Sequence, residues 1–101
     1  MEFSGFDWDA GNLTKCQKHG LSIADIESIF SRPVVVLPDR ENPQGERRYR
    51  AIGTADNGRK TFVVFTLRQL GSVLIRPISA RYMHTKEVDL YEKSYSDIPD
   101  R

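Results

Sequence analysis

Thr61-Phe62-Val63-Val64-Phe65-Thr66-Leu67, the turn Gln69-Leu70-Gly71-Ser72, and Val73-Leu74-Ile75-Arg76-Pro77-Ile78-Ser79-Ala80-Arg81 together decide how this chain reads. β-Branched and aromatic residues crowd both runs, and the connection between them has hairpin length. The first run is the strongest strand in the sequence. The second contains Pro77, which lacks the N–H of a ladder residue and so predicts an edge position or a bulge. Upstream, Asp56-Asn57-Gly58 turns the chain back into a strand over 47–54, with Tyr49 and Ile52 its most apolar members. Before that, 34–38 (VVVLP) reads as a short buried strand and 39–45 (DRENPQG) as a polar loop. Phe3, Phe6 and Trp8 alternate loosely enough for a short additional strand at the N-terminus.

Helical signals flank this block of strands. Asp9 reads as an N-cap and Gly20 as a C′ glycine, predicting a helix over 10–19 with Leu13 and Cys16 on one face. Ser22 with Asp25 forms a capping pattern ahead of the stripe Ile23, Ile26, Ile29 and Phe30, which Pro33 ends. Thr85 reads as the cap of a last helix carrying Val88, Tyr91 and Tyr95, with 96–101 a frayed tail. Helices first, then strands, then a helix predict an α+β domain with an antiparallel sheet of about four strands, two N-terminal helices and one C-terminal helix. At 101 residues the whole chain, 1–101, reads as a single domain.

With 39% hydrophobic and 29% charged residues the composition is that of an ordinary globular chain, and no apolar run suits a membrane span. No basic, apolar leader is visible in MEFSGFDWDAG, and the lone Cys16 excludes an internal disulfide; both fit the cytoplasm. The net charge of +1 conceals segregation. Residues 1–44 carry seven acids and four bases, 45–86 two acids and nine bases, and 87–101 five acids and two bases, so segments of −3, +7 and −3 follow one another. Seven of the nine central bases are arginines, whose planar fork grips phosphate bidentately. Two readings stay open: an anion-binding surface, or a sheet whose arginines pair with acids of the flanks. Alternation sets Arg48 and Arg50 on one face with Ile52, and Arg76 and Arg81 on opposite faces unless Pro77 introduces a bulge.

Metal chemistry has little support, since His19 and His84 stand far apart without helical ligand spacing, and no cofactor motif is present. The side chains suit metal-free RNA cleavage, which needs a proton acceptor for the 2′-hydroxyl, cations for the phosphorane and a proton donor for the leaving oxygen. His19 suits either proton-handling role, Glu46 or Glu87 the other, and Arg47, Arg76 and Arg81 suit a phosphate clamp. Tyr49, Tyr82 and Tyr91 suit base stacking or proton donation. Each also has a plainer role: His19 on the carbonyls ending a helix, Trp8 and Tyr91 in the core, and Cys16 as a small core residue.

Trp8-Asp9, Lys18-His19-Gly20-Leu21-Ser22, Glu46-Arg47, Ile78-Ser79-Ala80-Arg81, Glu87 and Tyr91 fall in an order that resembles the BrnT toxin family across about residues 3–92. The resemblance implies a RelE-like fold and an endoribonuclease toxin of a type II toxin–antitoxin pair. The partner it implies is a BrnA-like antitoxin whose ribbon-helix-helix part dimerises and binds operator DNA. The expected assembly is a two-plus-two complex that represses its own operon, with the DNA contacted mainly by the antitoxin. The motif carries over Lys18, His19, Glu46, Arg47, Arg76, Arg81, Glu87 and Tyr91; Arg48, Arg50, Tyr82 and Lys86 join Lys18 as candidate RNA contacts. Pro77 stands where relatives carry a β-branched residue. A reading of a different class is a non-catalytic binding module, a decayed toxin acting only through its antitoxin.

Overall fold

The computed structural model describes residues 2–39 and 43–95, with side chains described as far as Lys93 in the last helix. The tail 96–101 and the centre of the 39–45 loop lie outside the described residues. Five strands form one sheet: β1 (Gly5–Phe6), β2 (Val35–Pro38), β3 (Tyr49–Thr54), β4 (Lys60–Leu70) and β5 (Ser72–Tyr82). Their order is β1-β5-β4-β3-β2. The class is α+β, but the expected all-antiparallel sheet of four strands is replaced by a mixed one. The N-terminal segment pairs parallel to β5, Gly5 against Leu74 and Phe6 against Ile75, and only the other pairings are antiparallel. A two-residue strand carries too short a pattern to announce a parallel partner.

The β4–β5 hairpin is longer than its two apolar runs, because Arg68, Gln69 and Leu70 pair with Leu74, Val73 and Ser72 around Gly71. The predicted four-residue turn therefore shrinks to Gly71, whose φ of 78° glycine adopts without steric cost. At the other end of β4, the Ala55 N–H donates to Arg59 O and the Gly58 N–H to Ala55 O, making the turn read from Asp56-Asn57-Gly58.

Pro77 lies inside β5, and the register slips beside it: Phe65 faces Pro77 while Val64 faces Ser79, leaving Ile78 as a bulge. Proline is tolerated here because of the direction of its backbone. The carbonyls of Val73 and Ile75 accept from Ser4 N–H and Asp7 N–H, so residues 73, 75 and 77 turn their polar groups away from β4. The absent N–H of Pro77 thus faces the side on which β1 has already ended, and no β4 bond is lost. Its carbonyl accepts instead from the Asn12 side-chain amide at 2.8 Å.

Helices α1 (Leu13–Gln17) and α2 (Ile23–Ser28), the latter continued by a 3-10 turn at Ile29–Ser31, cover one sheet face. Cys16, Leu21, Ile26, Ile29 and Phe30 meet Ala51, Val63, Phe65, Ile75 and Ala80 there. Phe65 is fully buried, edge-on to Phe30 at 5.4 Å and stacked on Tyr49 at 5.5 Å. Ser22 caps α2 by accepting from the Asp25 N–H, as its sequence predicts. The first helix is much shorter than 10–19. Asn12 holds the position before Leu13, while Asp9 opens the preceding turn, its Oδ1 accepting from the Gly11 N–H and its carbonyl from the Leu13 N–H. The last helix, α3 (Thr85–Tyr95), is capped at His84 rather than Thr85, with Glu87 reaching back to the His84 N–H at 2.9 Å. Among the described residues no helix is long and apolar enough to cross a membrane.

Candidate functional site

The bulge decides where the arginines go. Ile75, Pro77 and Ala80 are buried on the helix-covered face, so the spacing from 77 to 80 is three residues where a regular strand allows two or four. Arg76 and Arg81, five positions apart, consequently share the opposite face. In β4, Phe62, Val64, Thr66 and Arg68 alternate with the buried Thr61, Val63 and Phe65 and belong to that opposite face too. Arg50 faces Val64, and Arg48 continues its phase. Arg48, Arg50, Arg68, Arg76 and Arg81 therefore line one face of the sheet. Thr66 faces Arg76 and Phe62 faces Arg81, which separates the two arginines by about 13 Å along the strands at the usual rise of ~3.3 Å per residue.

Acids from the rest of the chain meet these arginines. Asp9 forks Arg76 with one oxygen 3.0 Å from each terminal nitrogen, and Asp7 approaches the first of them at 3.2 Å. Glu87 forks Arg81 at 2.7 and 2.8 Å, and the guanidinium lies 5.0 Å from the Phe62 ring centroid. Glu46 pairs with Arg68, and Asp39 lies 3.6 Å from Arg50 Nε. The acidic flanks thus fold onto the basic centre, and the paired-sheet reading describes Arg50, Arg76 and Arg81, while Arg68 pairs with Glu46 of the basic segment itself. It does not describe Arg47, Arg48 and Arg59, which have no acidic partner among the described residues.

Charge pairing sets the proton affinities. Hydrogen bonding from Arg76 and then from the Gly11 N–H holds the Asp9 carboxyl below its ordinary value, and the same contact raises Arg76. Glu87 is lowered to about 2 by the Arg81 fork and the His84 N–H. A carboxylate so acidic is fully ionised at neutral pH and cannot donate a proton there; chemically it is an anchor for Arg81. Burial pushes the Cys16 thiol up, which suits a core residue and not a nucleophile. A carbon-detected carboxyl titration should place Glu87 near pH 2. Because folding lowers this pKa, the pair's stabilisation is present above about 4.5 and lost as pH falls through about 2. A Glu87 midpoint above 4, or a Glu87→Gln variant whose stability difference from the wild type does not shrink across that window, would contradict the fork.

The remaining candidates are distributed unevenly. Lys18 and His19 are exposed where α1 runs into Gly20, and among the described residues neither side chain bonds to the arginine face. Arg47 is exposed, and its carbonyl accepts from Thr66 Oγ1 at 2.8 Å. Tyr82 accepts from Asn57 Nδ2 at 2.8 Å and carries Arg59 stacked 3.6 Å above its ring, so one of its faces is already occupied. Tyr91 is half-buried with Lys60 Nζ 5.6 Å from its centroid, and Lys86 is exposed. Tyr49, stacked on Phe65 in the core, is not a base-stacking surface. Trp8 is partly buried against the core, as its plainer reading had it, and donates to Glu27.

Sequence reasoning missed Arg68, Asp7, Asp9 and Asn12. Arg68 was readable, since it continues the alternation of Phe62, Val64 and Thr66. The other three act through contacts across more than sixty residues, which no local pattern reveals.

The fold and site define an α+β protein whose sheet carries five arginines on one face, four of them beside carboxylates. The chain matches the family described as "Ribonuclease toxin, BrnT, of type II toxin-antitoxin system" over residues 8–87, the bulk of its length, and it belongs to that family. Family membership makes it a toxin of the ribonuclease kind with an antitoxin partner. A search of the curated proteins finds no significant match.

Proposed function

We propose that this chain is a metal-independent endoribonuclease with a RelE-like fold that cleaves RNA, arrests translation and growth, and works in the cytoplasm. The observation that carries the reading is the arginine face: five guanidinium groups on one side of a sheet, with Arg48 free of any acidic partner among the described residues. Phosphates of a single strand lie across Arg48, Arg50, Arg76 and Arg81, with Lys18, Arg47, Tyr82 and Lys86 contributing at the margins. Arg81 keeps a fixed orientation through Glu87 and stabilises the charge that builds on the phosphorane. His19 handles a proton, with Glu46 and Tyr91 as the other candidates. A BrnA-like ribbon-helix-helix antitoxin neutralises the toxin in a two-plus-two complex that represses the operon, the antitoxin making most of the DNA contacts.

The second reading, a non-catalytic module, has one observation in its favour. Arg68, Arg76 and Arg81 are already engaged by carboxylates, and His19 bonds to none of the arginine-face residues. One assay separates the two. Purified chain incubated with labelled RNA in EDTA should cleave it, and Arg76→Ala/Arg81→Ala should cut at least about a hundredfold more slowly, the scale of losing transition-state charge stabilisation. No cleavage by the wild type would leave the binding-module reading standing, whereas equal cleavage by the double variant would take the chemistry away from Arg76 and Arg81.

A further inference from the structure

Asn12 is 3% exposed, and every polar atom of its side chain is used. Its Nδ2 donates to Asp7 O at 3.0 Å and to Pro77 O at 2.8 Å, while its Oδ1 accepts from the Asp9 N–H at 2.8 Å. The carbonyls of Val73 and Ile75 take backbone donors from the N-terminal segment, and Pro77 O takes the Asn12 amide in the next place along the same edge. The side chain therefore extends the β1 ladder by one step, to the residue adjoining Arg76. The Gly11 N–H meanwhile holds Asp9 Oδ1 at 2.7 Å. A Cβ on Gly11 would stand 3.0 Å from that oxygen and 3.2 Å from Arg76 Nη2, so residue 11 has little room for a side chain. Asp9 is thus fixed from two sides before it meets Arg76, whose side chain is only 16% exposed.

We infer that Asp9 is a positioning residue for RNA cleavage: locked by Asn12 and Gly11, it aims the Arg76 guanidinium at the arginine face and stops it from rotating. The inference rests on the ribonuclease reading above. Two rival roles for Asp9 make different demands. A carboxylate that only occupies Arg76 in place of phosphate would act as an inhibitory latch, and its loss would speed cleavage. A purely structural carboxylate would change thermal stability and leave the kinetics of folded protein alone. A positioning carboxylate separates binding from chemistry, because a freed guanidinium still attracts RNA but no longer meets the reacting phosphate in one geometry.

The test is steady-state cleavage of a labelled RNA by the full chain, comparing wild type, Asp9→Asn and Asp7→Asn, with the folded fraction of each measured by circular dichroism. Asp9→Asn should lower kcat about 10- to 100-fold with KM changed less than about threefold, on the scale expected for a misplaced group. Asp7→Asn, which removes a single 3.2 Å contact, should have the smaller effect. Faster cleavage by Asp9→Asn, unchanged kcat per folded molecule, or a loss confined to KM would each overturn the inference. Should Asp9→Asn not fold, Asp9→Glu, which keeps the charge but displaces it by one methylene, serves as the second variant; full retention of kcat in it would also count against positioning. A wild type that cleaves no RNA would instead refute the underlying ribonuclease reading, so the two failures are distinguishable.

Discussion

Phe65→Ala should cost about 3–5 kcal/mol, the range for deleting a fully buried phenylalanine, and lower the thermal midpoint by at least about 12 °C at ~4 °C per kcal/mol. The size of the effect follows from position. Phe65 lies in the central strand, fully buried, in ring contact with Phe30 and Tyr49, and opposite Pro77 where the register slips. Phe30 in turn meets Phe3 at 6.2 Å and Phe6 at 5.7 Å, so the cavity would open at the junction of α2, the N-terminal segment and the sheet. Backbone hydrogen bonding on both sides of β4 resists collapse into that cavity. Thermal melting by circular dichroism checks this, and a shift of only a few degrees would show that the junction repacks freely.

The second large effect concerns binding. Arg48→Ala/Arg50→Ala should weaken RNA binding about 10- to 100-fold and reduce the steepness of its salt dependence by about one to two ions released. These two arginines stand in phase, about 6.6 Å apart at the usual rise, at the margin of the face next to β2. Arg48 has no carboxylate neighbour among the described residues, and Arg50 only a loose one, so neither must release a tight ion pair to meet phosphate. Arg76 and Arg81 must keep or exchange a forked partner. Fluorescence anisotropy against a single-stranded RNA at several salt concentrations measures both quantities. An unchanged slope would move the RNA path off this margin.

Much of the fold was legible because its signals are local. The Ser22 cap, the Ile26-Ile29-Phe30 stripe, the Asp56-Asn57-Gly58 turn and the apolar runs of β4 and β5 each depend on residues within a few positions of one another. Features that depend on distant partners were not legible. The alternation of Phe3, Phe6 and Trp8 announced a short N-terminal strand, but not that Gly5 and Phe6 would pair parallel to β5. Asp9 and Asn12 serve the turn ahead of the first helix and also bond across the chain to Arg76 and Pro77, and only the first of these roles has a local signal. For the candidate site, the residue types pointed to an anion surface, but the pairing of arginines with acids is a property of folded space. Arg76 reads as an unopposed base until Asp7 and Asp9 are brought beside it.

Ile78 has a consequence out of proportion to its contacts. It is a half-buried residue in a strand, yet it resets the counting of β5: odd positions face the core before it and even positions after it. The strand is therefore two rulers joined with an offset, and insertions or deletions on either side are not equivalent to substitutions. Removing one residue at this joint would shorten the spacing from Pro77 to Ala80 from three residues to two, that of a regular strand, so the bulge would be lost while Ala80 stays inward and Arg76 and Arg81 stay on one face. The Arg76 and Arg81 segments thus share a face only while the extra residue stays out of the alternation, and a straightened strand of the same length would turn them to opposite sides.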